Sequence, residues 1–404
     1  MTTFTPATPD DVRDAVAWAV SEETPLEIIG HGSKRGIGRP AQTEHALDLS
    51  RLTGITLYEP EELVLSARAG TPLSEIEELA ASRGQELAFE PMDYGPLLGG
   101  EAGPEARKGT IGGVLAANLA GPRRIKAGAA RDHILGINAV SGRGEAFKAG
   151  GRVVKNVTGY DLSKAMAGSW GTLAAVTDVT FKVLPAAETE STLVLRGLTE
   201  EQAVHAMSLA MGSSGEVAGA AHLPESVTGR VLGGALKGRG STLLRLEGFG
   251  PSVEYRFDLV AKLLGPLAAA ERLDAGQSRQ LWREVRDCIP FADGTQRAVW
   301  RVSMTPSEGH KMVMALRMRA AVDAFYDWQG GLIWLRMEAE PEAELLRGLI
   351  AHFGGGHATL VRAAASIRAS VPVFQPQPAA LVALSARLKA GFDPKGILNP
   401  GRMG

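Results

Sequence analysis

Cysteine is nearly absent, with Cys288 alone among 404 residues. A single thiol cannot close an internal disulfide, and it cannot supply the four thiolates an iron–sulfur cluster usually takes. Any such cluster working with this chain therefore sits on another one. No window approaches the ~18 uninterrupted apolar residues of a membrane-crossing helix. The opening segment MTTFTPATPDDVRDAV also lacks the basic and apolar regions of a secretory signal. The expectation is a cytoplasmic chain, or one held at the inner face of the membrane only through partners. Nor is there an excess of charge: 43 Lys and Arg against 45 Asp and Glu leave a formal net charge of -2, and so no electrostatic case for nucleic acid or an anionic membrane. No segment is periodic enough to be a repeat.

What is present is glycine, 49 residues of it, concentrated where short apolar runs end. Thr8-Pro9-Asp10-Asp11 predicts a helix start, with Thr8 as N-cap and Val12, Ala15, Val16 and Ala19 as its apolar stripe. LEII at 26 to 29 reads as a buried strand emptying into the loop GHGSKRGIG, with further strands at 46 to 49, 55 to 58 and 63 to 67. Thr71-Pro72 opens a second helix, carrying Leu73, Ile76, Leu79 and Ala80 and closed by Gly84. Phe89 to Gly109 is too rich in Pro and Gly for regular structure, and long loops inside compact domains are often functional. Thr110 then caps the small-residue helix IGGVLAANL. INAV, the turn SGRGE and the run after it form a hairpin, and VTDVTFKVLP is a half-buried strand with Val179, Phe181 and Val183 on one face.

After Pro185 helices are expected over 200 to 211, 253 to 265 and 308 to 324, alternating with the strands STLVLRG, STLLRLEGF, AVWRVSM, GGLIWLRM and HATLVRA. A last helix, PAALVALSARLKAGF, leads to the tail DPKGILNPGRMG. The fold class is α+β. The expected divisions are 1-187, with subdomains of about 1-85 and 86-187, then 188-375 as a cap, then 376-404 returning to pack on the first part.

A strand followed by glycines invites the dinucleotide fingerprint. Counted from Gly30, the third glycine should stand at position 35, which is Arg35, and Pro40 interrupts the segment where a helix should follow. The loop can still bind phosphate, because its backbone N–H groups can converge into an anion nest with Ser33 and Lys34 as added donors. Alone, it reads equally as a glycine-rich surface turn.

Taken with KGTIGGVLAANLAG, RDHILGINAV, GYDLSKAMAGSWGTLAAVTDVTFKVLP and FDPKGILNPGRM, the loop resembles the vanillyl-alcohol oxidase/PCMH class of FAD-binding domains. Within that class the chain is similar to the FAD-binding E subunits of bacterial glycolate oxidases, strongly over 1 to 187 and 378 to 404. The resemblance implies two subdomains holding an extended, non-covalent FAD, with a cap over the flavin ring. It places Gly30, His31, Gly32, Ser33 and Lys34 in the pyrophosphate loop and Pro91 in the next contacting loop. Thr110, Ile111, Gly112, Gly113, Ala116 and Asn118 fall in the block along the pyrophosphate and ribityl chain. Gly121, Arg124 and Asp132 match positions near the flavin, and Gly171, Thr172 and Val176 match the adenine end. Asn399 and Arg402 in the tail are further candidates. At the start of the capped helix, Gly112 and Gly113 are expected to present bare N–H groups to negative charge. Each residue taken singly reads equally as packing. His31 is either a flavin-adjacent or backbone-supporting histidine or a covalent attachment point.

Oxidation of a 2-hydroxy acid by a flavin needs a base for the hydroxyl proton and a cation for the carboxylate. The candidates are His357 as base and Arg301, Arg336 or Arg362 as clamp. Where related subunits carry a metal-binding HxGDGNxH-like element, HFGGGHATLVRA has His352 and His357 with no Asp or Asn between them. No metal is expected. The resemblance implies an FAD-binding subunit of a multisubunit glycolate dehydrogenase, partnered by a homologous flavin subunit and an iron–sulfur subunit. Two other readings stay open, a non-catalytic structural or electron-relay subunit that still binds FAD, and a stand-alone FAD oxidoreductase acting on another substrate.

Overall fold

A computed structural model describes residues 2–99, 109–152 and 160–403. The rest of the loop ending at Gly109 and part of the segment before Tyr160 lie outside the described residues. The first helix, Pro9–Ser21, begins as its sequence predicts: Thr8 Oγ1 accepts from the Asp11 N–H (3.2 Å) while the Asp11 carboxylate accepts from the Thr8 N–H (2.9 Å). This reciprocal cap satisfies two donors that a helix start leaves open. The predicted stripe Val12, Ala15, Val16 and Ala19 is buried against Leu26, Leu47, Val140 and Ala175.

Among the described residues the strands form three main sheets. A parallel sheet orders Thr2–Phe4, His45–Asp48 and Leu26–Ile29. An antiparallel sheet orders Ile55–Glu59, Val64–Arg68, Ala174–Lys182, Ile134–Ser141 and Ala146–Gly150. The strand Ala174–Lys182 alternates as expected, burying Val179 and Phe181 while Thr180 and Lys182 stay partly exposed. A short pair, Gln85–Glu86 with Leu184–Pro185, ends this part of the chain.

From Thr189 the chain builds an antiparallel sheet of eight strands, ordered Ala270–Leu273, Thr189–Arg196, Ser241–Gly248, Gly219–Leu223, Val322–Asp327, Leu332–Met337, Val299–Met304 and Gly356–Arg362. The sheet has two differently employed faces. Trp300, Val302, Leu335 and Ala358 pack with Met312, Leu316, Leu346 and Ile350 of the helices Pro306–Arg317 and Ala343–His352. Phe325, Trp334 and Val361, on the other face, join a core shared with Phe89, Tyr94, Leu119 and Phe181. The second face thus lies toward the first half of the chain.

The helix expected over 308 to 324 ends at Arg317, and Val322–Asp327 is a strand paired with Leu332–Met337. Local propensity in MRAAVDA favours helix, but Ala324 to Asp327 are fully buried within the sheet, and tertiary pairing outweighs differences of a few tenths of a kcal/mol per residue. Gly219–Leu223, Ala270–Leu273 and the helices Ala275–Arg286 and Ala343–His352 are additional elements.

The last helix, Ala379–Phe392, buries no residue fully and is anchored at its final turn. There Lys389 Nζ donates to the carbonyls of Thr172 (2.5 Å) and Leu398 (3.0 Å), and Phe392 meets Phe147. Asp393, whose side chain is fully enclosed, accepts from the Ile397 and Leu398 N–H groups (3.0 and 2.8 Å) and from Lys389 Nζ (2.6 Å). It fixes the tail so that Leu398 bridges Leu26 in parallel. Replacing Asp393 by Ala strands buried donors, and each costs about 1–3 kcal/mol. The expected result is a lower melting temperature and weaker retention of any ligand beside the tail, read by differential scanning fluorimetry.

Candidate functional site

The strand Leu26–Ile29 ends where the chain must turn beside the start of the helix Ile111–Ala117. A β-carbon on Gly30 would stand 2.5 Å from Thr110 Oγ1, and one on Gly112 would stand 2.8 Å from the Ala69 carbonyl oxygen. Only glycine permits these approaches. Gly32 turns with a φ of +75°, in the region that side chains disfavour. Among the described residues the N–H groups of Gly32, Ser33 and Lys34 have no protein partner, which leaves them available to an anion.

The reading of Gly112 and Gly113 as bare donors does not hold. Gly112 N–H donates to the Ala69 carbonyl (2.8 Å), Gly113 N–H to Thr110 Oγ1 (3.3 Å), and Ile111 N–H to the Thr71 carbonyl (3.0 Å). Thr110 is the N-cap, as expected, and capping uses up donors that would otherwise face a ligand. The two glycines serve close approach instead: a β-carbon on Gly113 would sit 3.4 Å from Lys34 Nζ.

The resulting cleft has a volume of about 820 Å³, part of it open to solvent. Gly30, His31, Gly32, Ser33, Lys34, Thr110, Gly112, Gly113, Ala116, Gly171, Val176, Asn399 and Arg402 all line it. Asn399 ties three segments together: Oδ1 accepts from the Ile28 N–H (2.7 Å) and Nδ2 donates to the Trp170 carbonyl (2.8 Å). Arg402 donates to the Lys34 carbonyl (2.7 Å), lies over the Trp170 ring and has no partner for its buried Nε among the described residues. Burial pushes the Lys34 ammonium down to about 8, with Arg402 adding to the shift and Asp93 opposing it. Cationic donors together with the apolar walls of Leu49, Ala69, Met166 and Trp170 suit a ligand that is phosphorylated and aromatic.

Other predicted residues lie outside this cleft. Pro91 lines an adjoining hollow with Lys34, Asp93, Arg286 and Asp287. Ile111 is in the core. Asn118 ends its helix in left-handed conformation and accepts from the Arg131 N–H, Asp132 caps Ala129, and Thr172 holds Ser169 and Lys389. Gly121 accepts from Trp328 Nε1 (3.0 Å), and Arg124 and Arg301 both stand over the Trp328 ring. Arg301 shares a sheet face with His357, which is exposed and pairs with Ser303. Arg336 and Arg362 are elsewhere, in an ion cluster around Asp293 (2.6 and 3.1 Å) that also holds Asp323 and Glu338. Trp170, left-handed at φ 53° and a wall of the cleft, was legible only as an aromatic between glycines in GSWGT.

A family model described as "FAD binding domain" matches residues 2–150. The glycolate oxidase subunit GlcE of Escherichia coli (strain K12) is 37% identical over 396 residues, covering 96% of this chain and 95% of that protein. The glycolate oxidase subunit GlcD of Bacillus subtilis (strain 168) is 31% identical over 179 residues, covering 43% of this chain and 35% of GlcD. Among solved structures, p-cresol methylhydroxylase with substrate bound superimposes with a TM-score of 0.74 at 16% identity, covering 100% of this chain and 88% of that one. The fold is therefore the α+β architecture of PCMH-type FAD-binding proteins.

Two outcomes are expected of the cleft. Above pH about 8 the unliganded Lys34 is increasingly neutral, so binding a pyrophosphate must draw in a proton and affinity for FAD falls as pH rises. Titration of apoprotein with FAD between pH 7 and 9.5 checks this, and Lys34→Met should lower affinity and flatten the profile. Gly30→Ala, forced against Thr110, should reduce FAD loading at least tenfold, read from the ratio of flavin to protein absorbance.

Proposed function

The chain belongs to the FAD-binding oxidoreductase family that includes the glycolate oxidase subunit GlcE, and from that premise we propose that it is the FAD-binding subunit of a multisubunit glycolate dehydrogenase. In this reading glycolate is oxidised to glyoxylate, and the electrons leave through an iron–sulfur partner toward quinone. The observation that carries it is the cleft of Gly30 to Lys34, Thr110 to Ala116, Trp170 to Val176 and the returning tail, which suits an extended dinucleotide. End-to-end similarity to a glycolate oxidase subunit supports the substrate. The burial of Cys288, the chain's one thiol, supports clusters carried on another subunit.

Bound FAD supplies an acceptor for the hydride from the substrate's hydroxyl-bearing carbon. Lys34, Ser33 and the loop N–H groups would hold the pyrophosphate, while Thr110 fixes the helix start behind it. Trp170 and Val176 would wall the adenine end, and Asn399 would keep that wall against Ile28. On the cap sheet, Arg301 would fix the substrate carboxylate and His357 would take the hydroxyl proton. His357 is exposed, and no acid stands between it and His352. Those two features favour a second reading, in which a homologous flavin subunit oxidises the substrate and this chain relays electrons. Among the described residues no helix is long and apolar enough to cross a membrane, so electrons bound for quinone would leave through partners.

The deciding experiment records the flavin spectrum of the purified chain, then adds glycolate anaerobically, first alone and then with the homologous flavin subunit and the iron–sulfur subunit. Bleaching of this chain's flavin without the homologous subunit supports catalysis here. Bleaching only with that subunit present supports the relay, and a chain that purifies and reconstitutes without flavin overturns both.

A further inference from the structure

Arg124, from the first half of the chain, and Arg301, from the strand Val299–Met304, stand over one indole. Their guanidinium carbons lie 5.0 and 4.9 Å from the Trp328 ring centroid, so they are no farther apart than those two distances combined. Both side chains are half-buried, and among the described residues neither has a carboxylate within ion-pair distance. Other arginines between the two halves are neutralised. Arg123 reaches Glu247 (3.0 Å), Arg245 reaches Glu190 (2.8 Å) and Arg286 reaches Asp287 (2.8 Å). Two like charges in a partly desolvated place repel each other, and Arg301 adds to burial in pulling Arg124 below the usual guanidinium range, with Asp132 opposing.

The indole that both arginines meet is fixed. Trp328 Nε1 donates to the Gly121 carbonyl (3.0 Å), and its own N–H donates to Asp327 Oδ1 (2.7 Å). Trp328 and Gln329 are both left-handed, at φ 51° and 63°. Strained turns of this kind persist where surrounding contacts over-determine them, and they cluster at ligand sites. Asp327 is enclosed, and burial pushes its carboxyl up to about 7 while Arg301 pulls the other way. Ser303 and Thr359, partly exposed on the same sheet face as Arg301, add hydroxyl groups nearby.

We propose that Arg124 and Arg301 together form a carboxylate-binding site, assembled only where the cap sheet meets the FAD-binding half, that seats a small carboxylic acid against Trp328. It rests on the reading above for the nature of the acid, but on the arginine pair for its place. Paired guanidinium donors suit a carboxylate because each offers parallel N–H groups in a fixed fork.

The test is calorimetric titration of the FAD-saturated full chain with oxalate, which a flavin does not oxidise as a hydroxy acid, and with ethylene glycol as uncharged control. Oxalate alone should bind. Arg124→Gln and Arg301→Gln should each weaken it roughly tenfold or more, and Arg301→Lys should fall between. Lys311→Gln, on an exposed helix face, should leave it unchanged. Thermal melts identify any variant that fails to fold, and Arg301→Lys then decides. Oxalate that does not bind the wild type, or that binds both Gln variants as tightly as the wild type, overturns the proposal. A chain that retains no flavin on reconstitution, yet binds oxalate with the same dependence on Arg124 and Arg301, overturns the proposed function and leaves this site standing.

Discussion

A β-carbon at Gly30 would meet Thr110 Oγ1 and one at Gly112 would meet Ala69, both at distances that real side chains do not tolerate. These two approaches set the spacing between the loop after the first buried strand and the capped helix that faces it. Because the gap is that narrow, Lys34 is drawn in beside the helix start and loses much of its hydration, and its ammonium becomes acidic. Thr110, held against Gly30, caps its helix through Oγ1 and leaves the N–H groups of Gly32 to Lys34 to meet an anion. A desolvated cation beside open donors is a poor resting arrangement and a good receptor for phosphate.

The C-terminal tail completes the same site from far along the chain. Asp393 fixes its backbone, Leu398 bridges Leu26, and Asn399 clamps Ile28 to Trp170. Arg402 then returns a second cation to the loop through the Lys34 carbonyl, balanced in part by buried Glu27, which also pairs with Arg35. The cleft is thus closed by residues about 370 positions apart in the chain.

The cap sheet divides its labour between faces. One packs on its own helices with Trp300 and Leu335, while the other contributes Phe325 and Trp334 to a core shared with Phe89 and Phe181. On the shared side the charges are largely matched, Arg123 and Arg245 against Glu86, Glu90, Glu190 and Glu247. Burying unmatched charge there would be costly. Among the described residues the two arginines over Trp328 have no carboxylate at ion-pair distance, which sets them apart from these pairs.

The cleft was legible in the sequence because glycines, caps and short apolar runs act locally. Thr8 and Thr110 cap because of their own side chains, and the alternation at 179 to 183 follows from the pleat. The sequence alone therefore determined the α+β class, the FAD-binding domain and most residues lining the cleft. Local reasoning failed where distant partners decide. Val322–Asp327 is a strand only because Leu332–Met337 lies beside it, and the N–H groups of Gly112 and Gly113 are occupied only because Ala69 and Thr110 are placed to receive them. Tertiary structure alone separated the four candidates on the cap, committing Arg336 and Arg362 to Asp293 while Arg301, which has no ion pair among the described residues, meets Arg124 over Trp328 and His357 is exposed on the same sheet face. Charge compensation depends on which side chains meet in space, and a linear pattern does not carry that information.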